Sequence, residues 1–399
     1  MRQSAAMNLD WLIVGGGIHG VHIAIRLLRE AQVDRRRLRI VDPSARLLER
    51  WRSCTEVTGM RHLRSPAVHN LDVSPWSLRE YADARGEDKT GQFARPYDRP
   101  DLQLFNDHCD ELIRSLSLDA LHVRALALRC SVDCDAATVE LSDGTTVAAR
   151  NVVLAMGAGD QPRWPAWAPK GHPSVRHVFA PEFDDWPSNK ETVVVVGGGI
   201  TGGQIALRLV AEGHTPHLVS RHALREHQFD SDPGWLGPKL MKGFQRERNL
   251  DKRRDCITRA RHRGSVPPSV HRALRAAIRR GDIVWHQDEV HALDADGSDW
   301  SLRLRGGGAV SASRVLLATG FGSQRPGGAL VDTLIESASL PCAKCGYPIV
   351  DRSLRWHPRV CVAGPLAELE LGPSSRNIAG ARRAADRLIA AERRARRSA

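Results

Sequence analysis

Two segments of the chain repeat one order of apolar, glycine and apolar positions. In the first, an apolar run at residues 11–14 leads into GGGIHG at residues 15–20, and helix-periodic apolar positions follow at residues 21–28. In the second, the run at residues 193–196 leads into GGGITG at residues 197–202 and then into residues 204–210. A short apolar run predicts a buried strand, and apolar residues at helical spacing predict an amphipathic helix. Each segment therefore predicts a strand, a tight turn and a helix.

The turn in both segments reads G-x-G-x-x-G, the pattern that binds the pyrophosphate of a dinucleotide. Its glycines permit the tight turn, the close approach of the phosphates and the packing of helix on strand, while the helix N-terminus attracts negative charge. Two copies predict two dinucleotides bound at once, as electron transfer from a nicotinamide to a flavin requires. The predicted contacts are Gly15, Gly17, Ile18, His19 and Gly20 in the first copy and Gly197, Gly199, Ile200, Thr201 and Gly202 in the second.

The residues that end the second strand of each unit distinguish the two dinucleotides. Asp42 ends the strand predicted at residues 38–41, where an acid normally accepts hydrogen bonds from the adenosine ribose, so we assign this unit to FAD. In the second unit, Ser220 and Arg221 end the strand at residues 217–219. A Ser–Arg pair can receive a 2′-phosphate that an Asp would repel, which favours NADPH. An arginine merely solvated at a strand end is the alternative.

A second repeat predicts how the chain is divided. Hairpin-like regions at residues 138–147 and 300–310 each precede an apolar strand that ends in Ala-x-Gly, at residues 151–157 and 314–320. We predict an α/β fold with two Rossmann-like dinucleotide-binding domains. An FAD domain formed by residues 1–160 and 319–399 would contain an inserted NADPH domain at residues 190–318, reached through a linker at residues 161–189. Gly157, Thr319 and Gly320, at the strand ends, are predicted cofactor contacts.

The closing segment predicts one further cofactor contact region. A short strand at residues 360–363 ends at Gly364, and Ser375 and Asn377 precede an Ala-rich helix predicted at residues 378–391. Ser and Asn are favoured at helix N-termini, and the positive end of such a helix would stabilise negative charge on a reduced flavin. A capped helix with no flavin role is the alternative.

Composition limits the remaining function classes. The net charge of +12 comes almost wholly from arginine, because only seven residues are lysine. We attribute it to solvated helix faces and expect no specific nucleic-acid partner, since no nucleic-acid motif accompanies the charge. The sequence has no apolar stretch of membrane-spanning length and eight scattered cysteines, so we expect a cytoplasmic protein with reduced thiols and no metal. A homo-oligomer is left open.

With these motifs, the chain resembles the single-component flavoprotein monooxygenases that use FAD and NADPH. It is most similar to their N-hydroxylating branch, which includes the lysine and ornithine N-monooxygenases. The resemblance rests on GGGIHG, GGGITG and LLATGFG (residues 316–322), and on a segment that contains Trp51, Met60, Arg61 and Arg64 and continues to Phe105. Arg61 stands where this branch usually has Gln.

The resemblance implies a reaction and places several residues. NADPH would reduce the flavin, O2 would form a flavin C4a-(hydro)peroxide, and an amine or amino-acid-like substrate would be N-hydroxylated. Trp51 and Met60 would then lie beside the flavin ring, with Arg61, His62 and Arg64 as candidate catalytic residues at its edge. Surface basic residues are the alternative for these three, and a structural role is the alternative for His19.

The substrate side is less defined. The Asn-rich segment that holds the amino acid in siderophore hydroxylases is not visible, and residues 229–238 stand in its region. Asp230, Asp232 and Trp235 are candidates for holding a cationic or amino substrate. A solvated Pro-Gly-Trp turn is the alternative.

Two other functions compete with a monooxygenase. Cys342 and Cys345 form a C-x-x-C pair, which suggests an NADPH-dependent disulfide reductase similar to thioredoxin reductase. The arginine surface suggests a flavoprotein sensor or an RNA-binding protein, whose nucleic-acid affinity would fall steeply with salt.

Overall fold

The fold is described from a computed structural model that covers residues 9–86, 91–188 and 191–398. The first part of the chain alternates strands and helices before an antiparallel extension. Its elements are β1 (Leu9–Val14), α1 (Ile18–Arg29), β2 (Leu38–Asp42), α2 (Glu49–Val57), α3 (Ser77–Ala84), β3 (Phe93–Ala94), β4 (Arg99–Pro100), α4 (Leu102–Ser115), β5 (His122–Arg124), β6 (Ala127–Val132), β7 (Ala137–Leu141) and β8 (Thr146–Leu154).

The middle part repeats the arrangement with a second antiparallel extension. Its elements are β9 (Val175–His177), β10 (Val193–Val196), α5 (Ile200–Ala211), β11 (His217–Ser220), β12 (Arg225–Glu226), α6 (Pro238–Arg246), α7 (Leu250–Ala260), β13 (Ser265–Val266), α8 (Pro268–Arg280), β14 (Val284–Gln287), β15 (Val290–Asp296), β16 (Asp299–Leu304), β17 (Ala309–Ala312) and β18 (Arg314–Leu317).

The last part returns to the first sheet and ends in a long helix. Its elements are α9 (Gly328–Ala338), β19 (Arg355–His357), β20 (Val360–Val362), α10 (Glu368–Leu371) and α11 (Ile378–Ser398). Two 3-10 turns, Gly364–Ala367 and Pro373–Arg376, lead from β20 towards α11.

The first sheet joins strands from both ends of the chain. Its order is β19-β20-β8-β1-β2-β5, with β7 beside β8 and β6 beside β7. β1 lies parallel to β2 and β8, and β20 lies parallel to β8. The apolar strands are buried on both faces, as parallel strands between helices must be, and Leu12 and Ile13 are fully buried.

The second sheet is parallel throughout, with the order β14-β11-β10-β18-β9. The antiparallel strands β6–β8 extend the first sheet, and β15–β17 form a separate three-stranded antiparallel sheet; both contain the hairpins that the sequence predicted. The α/β prediction is confirmed. Val175–His177 falls within the predicted linker but forms an edge strand of this sheet. The sequence did not predict this strand because three residues are too few to show a strand pattern.

The described residues contain no helix that is both long and apolar enough to cross a membrane.

Candidate functional site

The two glycine loops close on their sheets in the same way. A Cβ on Gly20 would lie 1.8 Å from the carbonyl oxygen of Gly15, and a Cβ on Gly202 would lie 1.8 Å from that of Gly197. Any side chain there would force the helix away from the strand that precedes it. By contrast, a Cβ on Gly17 would meet no atom within 4 Å, so this side of the first loop is open to a ligand. The close packing at Gly20 and Gly202 is the helix-on-strand contact expected of the third glycine in this motif, and the pyrophosphate contacts of the loops stay a prediction.

The carboxylate of Asp42 faces the first glycine loop. Its Oδ2 accepts a hydrogen bond from the Gly16 amide at 2.6 Å, and its Oδ1 accepts one from the Ser44 amide at 2.9 Å. The acid at the end of β2 is therefore fixed beside the turn, where an adenosine ribose would lie.

His19 adds an unpaired polar group to this first site. Its side chain is buried, and burial lowers its pKa to about 4, so the imidazole is neutral at pH 7. Neither ring nitrogen makes a hydrogen bond within the described part of the chain, although the Arg376 backbone lies close enough to oppose the pKa shift weakly. A Cβ on Gly364 would lie 3.6 Å from its Nδ1. Buried polar groups normally have partners, so the pair of unmet nitrogens fits a cofactor at this loop.

The second glycine loop opens into a cavity of about 660 Å3, which we name the glycine-loop cavity. Its wall includes Gly197, Gly199, Ile200, Thr201, Ser220, Arg221, Thr319 and Gly320, all predicted cofactor contacts. Gly202 lies behind this wall. Residues 261–265, which follow α7, also line this cavity.

The two residues at the end of β11 have different roles in this cavity. The Ser220 side chain is buried, and its hydroxyl accepts a hydrogen bond from Trp285 Nε1 at 2.9 Å and donates one to the His222 carbonyl at 3.0 Å. The Ser220 hydroxyl therefore already has a donor and an acceptor partner within the protein, and its contact with a phosphate stays a prediction. The Arg221 side chain is 59% exposed, and its guanidinium lies 4.0 Å from Glu289. This weakly paired arginine is the member of the pair that can receive a phosphate.

A second cavity of about 560 Å3 lies between the first sheet's loops and residues 229–236. We name it the apolar cavity because its wall includes the large apolar side chains of Trp51, Met60, Leu63, Phe229 and Leu236. The Tyr97 ring packs edge-on against Phe229 at 4.9 Å and joins the two sides. Of the other predicted cofactor contacts, Ile18 and Asn377 also line it.

Four residues line both cavities: Arg64, Ile200, Asp230 and Arg376. We name this shared wall the junction. The Asp230 carboxylate is paired with Arg261 at 2.8 Å. The sequence analysis named all of these except Arg376, which stands beside the predicted Ser375 and Asn377 without any motif of its own.

The three candidate catalytic residues separate in space. Arg64 lines the junction, and its guanidinium donates hydrogen bonds to the carbonyls of residues 227–229 and to the Ser265 hydroxyl. Arg61 is exposed, and His62 Nε2 lies 2.8 Å from the Gly91 carbonyl. Neither Arg61 nor His62 belongs to the walls of the two cavities. Residues 61–64 pass along the edge of the cavities, and only some of their side chains point into a cavity.

The start of α11 places its residues at different depths. The Ser375 hydroxyl is buried without a hydrogen-bond partner among the described residues, whereas Asn377 reaches the apolar cavity. The Asn377 carbonyl accepts the Ala381 amide at 3.0 Å, so α11 begins there with its N-terminus towards that cavity. Gly157 is exposed beyond the end of β8.

The remaining candidates lie away from the junction. Trp235 is buried against Phe244 and is absent from both cavity walls. Cys342 and Cys345 lie in the loop after α9, and neither contributes to those walls. Burial raises the pKa of the Cys342 thiol, which disfavours the reactive thiolate.

Family models match two parts of the chain. An FAD-NAD(P)-binding family matches residues 12–159, and the pyridine nucleotide-disulphide oxidoreductase family matches residues 122–262. The sequence matches no curated protein.

Solved structures share the fold over nearly the whole chain. The ornithine N-hydroxylase of Kutzneria sp. 744, solved with reduced FAD, NADP+ and L-ornithine, is similar over 98% of this chain and 100% of that chain, at 17% identity and a TM-score of 0.79. The ornithine hydroxylase of Pseudomonas aeruginosa is similar over 97% and 99%, at 17% identity and a TM-score of 0.76. The bacillithiol disulfide reductase of Bacillus cereus is similar over 96% and 98%, at 16% identity and a TM-score of 0.63.

These findings confirm the predicted resemblance, the enzyme class and the use of FAD and a nicotinamide dinucleotide. At such low identity, the solved structures establish the fold, and the family models supply the cofactor class. The chain therefore matches FAD- and NAD(P)-binding family models over two of its parts and has the fold of the N-hydroxylating monooxygenases over nearly its whole length.

Proposed function

We propose that the protein is an NADPH-using flavin monooxygenase that N-hydroxylates an amine or amino-acid-like small molecule. The observation that carries the proposal is the junction, where the cavity of the second glycine loop meets an apolar cavity beside the first unit. A dinucleotide on one side and a small substrate on the other would both reach a flavin there. Oxygen transfer to an amine needs such a shared and sheltered space.

FAD, when bound, supplies hydride acceptance from NADPH and the activation of O2 for transfer of one oxygen atom to a nucleophile. The chain supplies position and surroundings. The first glycine loop and Asp42 would hold the adenosine and pyrophosphate, and the N-terminus of α11 would favour negative charge on the reduced ring. The walls around Trp51, Met60 and Leu63 would limit water near the reacting atoms.

The preference for NADPH over NADH would rest on Arg221. Its exposed guanidinium faces the glycine-loop cavity, and its one acidic partner among the described residues is the distant Glu289. A 2′-phosphate carries more charge than that carboxylate and accepts two hydrogen bonds from one guanidinium, so it would displace the weak surface pair.

An acidic side chain in the apolar cavity, Asp232, favours an amine as the substrate because it can pair with a cationic group. Asp232 lines the apolar cavity, is exposed and caps the 3-10 turn Pro233–Leu236 through Oδ1, which accepts the Gly234 amide at 2.7 Å. No ion pair with Asp232 occurs in the described ranges, whereas Asp230 is held by Arg261. Asp232 is therefore the acid we assign to a cationic substrate group.

A disulfide reductase is the second candidate, because one similar structure is a bacillithiol disulfide reductase. The position of Cys342 and Cys345 outside both cavity walls argues against electron transfer through this pair. A Cys342→Ser, Cys345→Ser double variant with unchanged turnover would remove this function.

Stopped-flow spectroscopy of the purified holoprotein tests the proposal. The flavin is reduced anaerobically with NADPH or NADH and then mixed with O2. We expect faster reduction by NADPH, and then a flavin spectrum that differs from both the oxidised and the reduced forms. Amines that accelerate its decay and yield hydroxylamines would identify the substrate class. Reduction with direct return to oxidised flavin, and no hydroxylated product from any amine, would overturn the proposal.

A further inference from the structure

A buried charge cluster lies directly behind the junction. Glu368, in α10, is 1% exposed, and its carboxylate accepts hydrogen bonds from Arg376 Nε to Oε2 at 2.7 Å and from Arg376 Nη2 to Oε1 at 3.0 Å. Arg254 of α7, in the middle part of the chain, donates from Nη1 to Oε1 of the same carboxylate. We name these three residues the Glu368 triad. It joins the inserted unit to the segment that precedes α11.

Tyr347 completes the support of the triad. Its hydroxyl accepts a hydrogen bond from Arg376 Nη2 at 3.0 Å, and the Arg254 guanidinium lies 3.9 Å above its ring. Nε and Nη2 of Arg376 are thus both held by the protein. Because a guanidinium is planar and rigid, fixing these two atoms also fixes the direction of Nη1.

The triad carries more positive than negative charge. Burial alone would raise the pKa of Glu368, but its hydrogen bonds with Arg376 and Arg254 and their charges outweigh burial and hold the pKa below its usual value. Glu368 is therefore ionised at neutral pH and balances only one of its two arginines. The two arginine side chains are each only 20% exposed, so the remaining positive charge is partly shielded from water and the triad favours an additional anion.

The other groups at the junction do not supply that anion. Arg64 is bonded to carbonyls and a hydroxyl, with no acidic hydrogen-bond partner in the described residues. Burial, followed by the neighbouring charges of Arg261 and Arg376, lowers the pKa of Arg263, which also faces the glycine-loop cavity. Asp230 is already paired with Arg261. The junction therefore carries surplus positive charge around Arg376.

We propose that Arg376 binds an anionic oxygen of a ligand at the junction, and that Glu368 is the positioning residue that aims it. The ligand group is a phosphate or a carboxylate. Since Arg376 lines both cavities, the group belongs either to the nicotinamide dinucleotide, through its pyrophosphate, or to a substrate that carries a carboxylate. The inference rests on the proposed use of NADPH and an amine substrate.

Two measurements on Arg376→Met holoprotein distinguish the sources. The first is the Kd for NADP+, followed by the change in the flavin absorbance spectrum. The second is kcat/KM for L-ornithine relative to 1,4-diaminobutane, two probes that differ by the carboxylate. Loss of a charge-assisted hydrogen bond raises a Kd by about tenfold or more. We expect that change in the NADP+ Kd if the anion is the pyrophosphate, and in the probe ratio if it is the carboxylate.

Two further variants test the positioning role. Glu368→Gln keeps the shape of the side chain but removes the charge that holds Arg376, so it should shift the same quantity in the same direction by a smaller factor. Arg387→Met removes another arginine of the C-terminal part, one that pairs with Glu370 at 2.7 Å and lies outside the walls of both cavities, and should stay within about twofold of the wild type. If the triad had a purely structural role, the variants would lower stability but would change neither the NADP+ Kd nor the ratio of kcat/KM for the two probes selectively.

The inference is overturned if Arg376→Met retains FAD and matches the wild type in both quantities. If this variant does not retain FAD, Arg376→Lys takes its place, because it keeps the charge but loses the paired bonds to Glu368. Wild-type values for the lysine variant would equally overturn the positioning role. If neither amine is a substrate, the NADP+ Kd alone decides. A wild-type protein whose flavin is not reduced by NADPH would contradict the proposed function instead.

Discussion

Replacing Arg64 by Met should weaken the contact between the two dinucleotide-binding units. The Arg64 guanidinium donates hydrogen bonds to the carbonyls of His227, Gln228 and Phe229 at 2.6, 2.7 and 3.0 Å, and to the Ser265 hydroxyl at 2.9 Å. Methionine preserves much of the aliphatic packing of the side chain but donates none of these bonds. The variant therefore isolates the contribution of the guanidinium.

The magnitude follows from the number of bonds and from their cost. A hydrogen bond from a charged donor contributes about 1.5–3 kcal/mol, but burial of Arg64 lowers its pKa, so part of that gain is spent on desolvation. Nη2 has two hydrogens for three of the four acceptors, so we count three bonds at about 1 kcal/mol each, which gives a loss of about 3 kcal/mol in the free energy of unfolding. That loss corresponds to a fall in Tm of about 4 °C in a chain of this size.

Thermal unfolding of the holoprotein, followed by flavin fluorescence, measures this loss, and Arg61→Met is the matched control. Arg61 belongs to the same segment but is exposed and lies off both cavity walls, so its removal should change Tm by less than about 1 °C. Arg64→Met should also slow reduction of the flavin by NADPH, because two of the residues that it bonds, Phe229 and Ser265, line the apolar cavity and the glycine-loop cavity. Equal Tm values for the two variants would refute this account of Arg64.

Three further predictions concern cofactor binding and pH. Gly202→Ala should abolish reduction by NADPH but retain FAD, whereas Gly243→Ala, where a Cβ meets nothing within 4 Å, should leave both intact. Arg221→Gln should raise the KM for NADPH about tenfold and leave that for NADH nearly unchanged in steady-state assays. Burial lowers the pKa of His22 to about 3. Below pH 6.5 the imidazole therefore becomes protonated in the unfolded state but stays neutral in the folded state. Stability should fall by about 1.4 kcal/mol per pH unit for this group as the pH drops from 6.5 towards 4, and urea unfolding of His22→Gln should show a shallower loss.

The sequence predicted well what depends on local backbone geometry. The close approach of Gly20 to Gly15, and of Gly202 to Gly197, leaves no space for a side chain, and this requirement is written into the spacing of the glycines. The position of Asp42 follows equally from the end of a strand beside that turn. These features depend on neighbours within one strand–turn–helix unit, which a pattern of residue types can record.

Features that depend on contacts between distant segments were harder to predict. The sequence did not show that Trp285 and the His222 carbonyl bond the Ser220 hydroxyl, and the contact with Trp285 forms only when β11 pairs with β14. Arg376 was missed because its partner Glu368 belongs to a separate short helix and carries no motif. The sequence shows Glu368 as one acid among many charged residues. Its burial is what sets it apart, and burial cannot be read from residue type.

The large arginine excess has a structural use that solvated helix faces do not explain. Besides Arg64, Arg208 of α5 donates to the carbonyls at the end of α2, Arg253 of α7 donates to the Leu369 carbonyl at 2.9 Å, and Arg383 of α11 donates to the Trp235 carbonyl at 3.1 Å. Each of these bonds joins the middle part of the chain, which forms the second sheet, to the first or the last part. A guanidinium has five donors and no acceptor, so it can hold several unpaired carbonyls of a partner segment at once, which a lysine point charge does less well. Some of the arginines whose charge suggested an external anionic partner therefore hold the two dinucleotide-binding units together around the junction.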